Sequence, residues 1–441
     1  MDYVQKVWND GSLNEAVKLA REELDSVSQL IQSGKYGGDV RSTRFLDQFR
    51  FDIQERLATM LLVMNQYADA LVLYKQCIEQ AKNEYDSYDS DQKKYNRTQY
   101  MRSRVQLVIR EAECLRRCLK FDDAVRVLLD MCDEMADEPM LLICLRERLG
   151  WYYSQRAVDL TAEMMSLTPA EKAKKIAMLE DVQSHYRQSI HHLDVAVALS
   201  KQIGTEENYI EFSSDDVRSV IDTLFCRGLC YKDLANLAPT REEGDRLYKL
   251  AITDLLEVIQ KEPKFYAAYF NCADCCAKVR DHSAAIGLYD FFMENFQEYV
   301  KQIRERGDDL TRIEELYIEV RIKRAVCTIN NEDFPMAQDE LKELVFLIDD
   351  FLAYPGSTDL NEERLLQYLA IAHNKLGYCY YRRYKYREAI EENTKAIRIN
   401  PSMMEAYRDR CECYECLSFE TEAAEDRRMV EYLKRKIALN Q

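Results

Sequence analysis

Small residues recur twelve positions apart on either side of a polar break: Ala58 and Ala70, Ala112 and Ala124, Ala273 and Ala285, Ala325 and Ala337, Gly377 and Ala389, Cys411 and Ala423. Each lies in a stretch whose apolar residues follow the helical period, so each pair marks two helices able to approach until their backbones nearly touch. A chain patterned this way is a run of tight helical hairpins. Each hairpin carries apolar faces that only its neighbours can bury.

Composition narrows the choice further. The chain has 441 residues, 47% hydrophobic and 32% charged, enough apolar material for a large core. Twelve Gly and seven Pro are few for this length, against glycine-rich phosphate-binding folds and turn-rich all-β folds. The net charge of -17 opposes general attraction to nucleic acid or anionic membranes. No apolar run approaches the roughly 20 residues that cross a bilayer, and Met1 to Asp10 lacks the apolar centre of a secretory signal. Fifteen cysteines in a long, Lys- and Glu-rich helical chain fit a reducing cytoplasm better than a secreted disulfide scaffold.

Measured from Ala370, the residues Gly377, Tyr380, Ala389, Ala396 and Pro401 fall at positions 8, 11, 20, 27 and 32. That spacing resembles the tetratricopeptide repeat, a helix-turn-helix unit of 34 residues. Further units start at Phe51, Val105, Tyr266, Ile318 and Met404, and Trp8 to Leu24 looks like the closing helix of one more. Two units are stretched. Gly228 and Tyr231 are answered only by Ala251 and Pro263, and Gly150 and Tyr153 only near Tyr186 and Ser189. Helix-start boxes at Thr168–Glu171 and Thr240–Glu243 read these insertions as lengthened helices.

The resemblance implies an all-α solenoid of such repeats in a right-handed superhelix. A degenerate N-terminal array over 1–203 precedes a C-terminal array with a capping helix over 204–441, with a change of curvature expected near 204–215. Loop signals at Gly37-Gly38, 86–91, Gly204-Thr205, 307–309 and Pro355-Gly356 mark joints between units.

Constellations that carry chemistry are sparse. There is no P-loop, dinucleotide fingerprint, Gly-x-Ser-x-Gly elbow or His-Glu-x-x-His pair. His185 and His192, near Asp181, could share a helix face, but nothing at fixed spacing completes a metal set. Cys272, Cys275 and Cys276 with His282, and Cys411, Cys413 and Cys416, invite a zinc reading, yet several occupy repeat positions that want a small buried residue. Tyr378 to Arg387 interleaves aromatic and basic residues, as nucleic-acid grips do, but spans a predicted turn where charge is simply solvated. Asp86 to Asp91 lacks the Gly and terminal Glu of a calcium loop and reads as a polar connector. The expectation is no catalytic, cofactor or metal residue.

In the family this chain resembles, positions 2, 5, 9 and 12 of each first helix line a concave groove. Here they give Phe225 and Leu229, then Phe270, then Ile322, Val326 and Ile329, then Ile371, Tyr378 and Tyr381. Two readings of this apolar stripe stay open: a groove for a partner helix or extended segment, or side chains buried against each other or beneath an insertion. The two-carboxylate clamp of chaperone adaptors is matched only by Asn271, since Phe225, Leu229 and Glu319 replace its flanking residues, and Asn374 with Tyr378 also fails.

The resemblance thus implies a non-catalytic interaction scaffold holding protein partners in its groove, cytoplasmic and of the kind found in ciliary, microtubule-associated and cell-cycle assemblies. A chaperone adaptor is second and a regulatory subunit of an enzyme third. Neither nucleic acid nor membrane insertion is expected. At physiological salt the isolated protein should retain neither RNA nor duplex DNA on a filter. Binding that weakens steeply with salt and vanishes when Arg382, Arg383 and Lys385 are replaced together would overturn this.

Overall fold

The computed structural model describes residues 12–33, 40–168, 171–203, 220–306, 312–354 and 361–439. The joints expected at Gly37-Gly38, 204–215, 307–309 and Pro355-Gly356, and Trp8, lie outside the described residues. Among those described the structure is all helix, without a strand.

The chain packs as two compact units, residues 1–153 with 191–223, and 154–190 with 224–441. The first unit contains α1 (Leu13–Gln32), α2 (Val40–Val63), α3 (Tyr67–Ser87), α4 (Ser90–Arg117) and α5 (Phe121–Glu134). Three helices contribute residues to both units: α6 (Pro139–Ser166), α7 (Lys172–Ile203) and α8 (Val220–Asn236). The second unit continues with α9 (Arg241–Lys261), α10 (Tyr266–Lys278), α11 (His282–Glu294), α12 (Phe296–Arg306) and α13 (Ile313–Asn330). It ends with α14 (Phe334–Ala353), α15 (Glu362–Arg382), α16 (Tyr386–Ile399), α17 (Met404–Cys416) and α18 (Glu420–Leu439).

Six hairpins, α2/α3, α4/α5, α10/α11, α13/α14, α15/α16 and α17/α18, follow the predicted ruler. Their small residues at positions 8 and 20 are all buried. Every alanine among them is at most 1% exposed, and Cys411 is 5% exposed. With no side chain in the way the helices close up. A Cβ added to Gly377 would lie 2.8 Å from Nδ2 of the buried Asn393. The stretched unit that opens at Gly228 shows the same close approach, since a Cβ on Gly228 would lie 3.1 Å from Leu255 Cγ and 3.5 Å from the Ala251 carbonyl oxygen. The inserted residues of the stretched units lengthen helices, as expected. Thr240 caps α9 by accepting from Glu243 N at 3.3 Å, and Thr168 donates N–H and hydroxyl to Glu171 at 3.1 and 2.9 Å.

The turn within each hairpin is equally uniform. Asn65, Leu119, Arg280, Glu332, Tyr384 and Ser418, all at position 15, have φ between 60 and 68°. The next residue's N–H donates to a carbonyl five residues back at 2.8 to 3.1 Å, as in Gln66 to Leu61 and Phe419 to Tyr414. This is the Schellman closure, which satisfies the orphan carbonyls of the first helix.

The opposite ends of the hairpins are not uniform. α2 begins at Val40, α4 at Ser90 and α15 at Glu362, well ahead of their first repeat positions at 51, 105 and 370. The short helix α12 is an addition between two units that sequence reading did not resolve. The polar stretch 86–91 is a connector with a defined cap: Asp89 accepts from Gln92 N at 2.8 Å, and Gln92 Oε1 accepts from Asp89 N at 3.4 Å.

None of the six left-handed turn residues is glycine, so each carries strain that glycine would relieve. Leu119 and Tyr384 are 93% and 80% exposed, so truncation loses little packing. Leu119→Gly and Tyr384→Gly should each raise stability by roughly 0.5–1 kcal/mol, the relieved strain less the added freedom of the unfolded chain. Urea unfolding midpoints check this, with Ala at the same sites as the control that should gain nothing.

Candidate interaction surface

In the second unit the first helices of successive hairpins touch: α10 with α13, α13 with α15, and α15 with α17. Their inner faces therefore adjoin. Phe225, Leu229, Phe270, Ile322, Val326, Ile371, Tyr378 and Tyr381 are all half-buried, and Ile329 is buried. Several have identifiable neighbours. The Phe225 ring is 4.7 Å from that of Phe265. Phe270 meets Phe292 edge-on at 5.0 Å and Tyr299 of α12 at 6.3 Å, so the added helix leans on it. Ile322 and Tyr378 pack on the core formed by Ile318, Leu341, Leu369 and Leu376. Tyr378 and Tyr381 are 6.3 Å apart.

Polar groups along these helices are mostly engaged within the protein. Asn271 is buried; its Nδ2 donates to the Ala267 carbonyl at 2.8 Å and its Oδ1 accepts from Lys232. Asn374 is 1% exposed and donates to Asn393 at 3.0 Å and Asp409 at 2.9 Å. The two asparagines weighed as carboxylate holders thus already serve internal bonds.

Three arginines at position 7 form a feature that sequence reading missed. Arg227 grips Asp254 through Nε at 2.8 Å and Nη2 at 2.7 Å, and Arg410 grips Asp426 at the same two distances. Arg324 binds Glu340 of its own hairpin and Asp290 of the preceding one. Each ties a first helix to its own second helix from inside the packing. Their signal was present: an Arg at a position that elsewhere holds Leu57, Cys272 or Leu376.

The aromatic and basic run is also internally committed. Arg382 lies 4.6 Å over the Phe334 ring and donates to Tyr378 Oη at 3.0 Å, while Arg383 donates to Gln338 at 2.6 Å. Tyr384 holds the turn, and Lys385 is exposed.

Fourteen of the fifteen free thiols are buried or half-buried, Cys416 being exposed. Burial pushes Cys77, Cys114, Cys275, Cys379 and Cys413 up to about 12, which keeps them protonated and inert at neutral pH. Among the described residues no group of three or more His, Cys, Asp or Glu side chains is placed to hold a metal ion.

His185 Nδ1 lies 2.8 Å from the Asp181 carbonyl and 3.1 Å from its carboxylate. His192 is 4% exposed, with Nδ1 3.1 Å from Arg146 Nη1 and its ring stacked on Tyr153 at 5.5 Å. Since arginine only donates, Nδ1 must accept, and the neutral ring carries its proton on Nε2.

These hairpins define a class: the chain is a helical-repeat protein of the tetratricopeptide type. No protein-family model matches it. Tetratricopeptide repeat protein 6 of Homo sapiens is 40% identical over 68 residues, which are 15% of this chain and 12% of that protein. This chain therefore matches only about an eighth of that relative's length. Among solved structures, the C-terminal part of a TPR repeat-containing protein from Cytophaga hutchinsonii is 13% identical with a TM-score of 0.44, over 80% of this chain and 98% of that one. MamA from Desulfovibrio magneticus RS-1 is 14% identical with a TM-score of 0.33, over 47% and 96%. YrrB, described as a TPR protein with an unusual peptide-binding site, is 14% identical with a TM-score of 0.33, over 54% and 94%. The assignment to the class rests on the chain's own six hairpins. Among the described residues no helix is long and apolar enough to cross a membrane.

Burial, and then the Arg146 guanidinium, depress the His192 pKa to about 4. The unfolded chain binds this proton near pH 6.5, so the native state is the poorer proton acceptor, and stability present above that pH is lost as pH falls toward 4. Going from about pH 7 to about pH 4.5, the wild type should lose about 2 kcal/mol more than His192→Gln. Parallel losses in urea titrations of the two proteins would refute the assignment.

Proposed function

We propose that the protein is a non-catalytic scaffold that holds segments of partner proteins along the adjoining first-helix faces of its second unit. The observation that carries this reading is the half-buried state of eight apolar side chains, Phe225 and Leu229 on α8 and Phe270 to Tyr381 on α10, α13 and α15, the last three helices touching in succession. A core would bury such residues fully, and a merely solvated face would hold charged ones. An aromatic and aliphatic stripe with area still open suits a partner helix or extended segment.

A place in a larger cytoplasmic assembly, ciliary or microtubule-associated, is what the family resemblance implies. The chaperone-adaptor alternative is weakened by the internal bonds of Asn271 and Asn374. Regulation of an enzyme remains the third reading, with no residue that favours it.

Phe270 and Ile322 make poor test sites, because both already pack within the unit. Val326 and Ile371 are better. A photo-reactive residue at either position should crosslink one and the same partner in cells. The same group at Phe346 on α14, 75% exposed, should not. The double change Val326→Asp with Ile371→Asp should abolish that crosslink while leaving the helical circular dichroism intact. Crosslinking from Phe346 but from neither inner site would place binding on the other face.

A further inference from the structure

The apolar stripe of the second unit ends in a row of tyrosines. Tyr378 and Tyr381 lie in the last turns of α15, Tyr384 holds the left-handed turn and Tyr386 opens α16. Ring centroids step from Tyr378 to Tyr381 by 6.3 Å, on to Tyr386 by 6.0 Å and on to Tyr384 by 6.4 Å. Tyr378, Tyr381 and Tyr386 are half-buried and Tyr384 is 80% exposed, so all four keep area open to solvent. The row reaches at most about two turns of a polyproline II helix, which rises about 3.1 Å per residue.

Its hydroxyls are available as donors. Those of Tyr381 and Tyr384 bond no other described residue. The Tyr378 hydroxyl accepts from Arg382 at 3.0 Å, which leaves its own hydrogen to donate. Burial, and then the Glu412 carboxylate, hold the Tyr381 hydroxyl above its ordinary pKa, so it keeps its proton at neutral pH.

Uncommitted acids adjoin the row. α15 touches α17, whose positions 2 and 9, inner positions by the repeat ruler, are Glu405 and Glu412. Both are exposed. The other charges of α17 are paired: Arg408 with Asp409 at 3.6 Å, Arg410 with Asp426 at 2.7 Å and Glu415 with Arg427 at 2.9 Å. Glu405 and Glu412 have no counter-ion among the described residues. Their surplus charge disfavours single-stranded nucleic acid, the other common guest of stacked aromatics.

Ring faces, hydroxyl donors and two spare carboxylates call for one kind of guest. A helix or sheet strand has already committed its carbonyls, whereas in polyproline II none is bonded internally. Proline also brings no N–H to be left unpaired on burial, and its ring packs on an aromatic face. A spare carboxylate takes a lysine or arginine.

We propose that this end of the stripe binds a proline-rich segment in the polyproline II conformation, its prolines on Tyr381, Tyr384 and Tyr386 and a flanking lysine or arginine on Glu412. The proposal rests on the scaffold reading above and names the partner's chemistry at one end of the same surface.

The test uses the full chain and a fluorescein-labelled peptide of about eight residues, proline throughout with a lysine at each end, read by anisotropy. Saturable binding that weakens as salt rises is expected, and a glycine-serine peptide with the same lysine ends should bind at least about tenfold more weakly. Tyr384→Ala, at an exposed turn position, should cost about tenfold with the circular dichroism unchanged. Glu412→Lys should weaken the lysine-ended peptide and favour one ended with glutamate. Absence of saturable binding at millimolar peptide, equal binding of the glycine-serine peptide, or binding untouched by both substitutions would sink the proposal. Displacement of the peptide by oligothymidylate would overturn it in favour of single-stranded nucleic acid. If Val326 and Ile371 still crosslink a shared partner while the proline peptide does not bind, only the proline-rich occupant is rejected and the scaffold reading stands.

Discussion

The burial of one small residue on each helix of a hairpin, which lets the two helices close up, sets the geometry on which everything else in the chain depends. With Ala273 and Ala285 both fully buried, and Gly377 so near α16 that an added Cβ would strike Asn393, the helices are too close to be joined by an ordinary loop. A residue in the left-handed region and a Schellman closure join them instead, at the same position in all six hairpins. The close approach also fixes which side chains face inward. Tyr74, Leu128, Tyr289 and Leu341 fill the space beyond the small pair, each at most 1% exposed. Stability is then gathered hairpin by hairpin, from contacts between neighbours.

Much of this was legible in the sequence, because the small residues are constrained by contact alone. Spacing located the six hairpins, the lengthened helices around Gly228 and the run-on of the last helix. What was not legible depends on residues distant in sequence. Phe225 and Phe270 could be placed on the inner face, but their half-burial comes from Phe265 and Tyr299, the latter on a helix that follows no repeat rule. The polar space between α2, α3 and α4 was hidden for a related reason, since it is bounded by the parts of those helices that extend beyond the repeat, where the ruler says nothing. The turn residues were missed because none is glycine.

The two kinds of surface differ as the regions that build them differ. Regular hairpin stacking places equivalent positions side by side, so apolar residues at positions 5 and 9 gather into a stripe without special arrangement. Irregular helix ends cannot stack this way, and their gap is lined by side chains that suit water.

The buried guanidinium and carboxylate pairs bear on which hairpins can stand where. Repeat chains risk a helix folding back onto the second helix of the wrong neighbour, since all second helices offer similar apolar faces. Arg227, Arg324 and Arg410 make that error expensive. Arg227 finds its acid on Asp254, Arg410 on Asp426, and Arg324 on both Glu340 of its own hairpin and Asp290 of α11, so docking against a second helix without an acid at the matching place would leave a largely enclosed guanidinium unpaired. The hairpins are keyed, and neither exchange between two copies of the chain nor reshuffling of repeats within one should yield an equivalent protein.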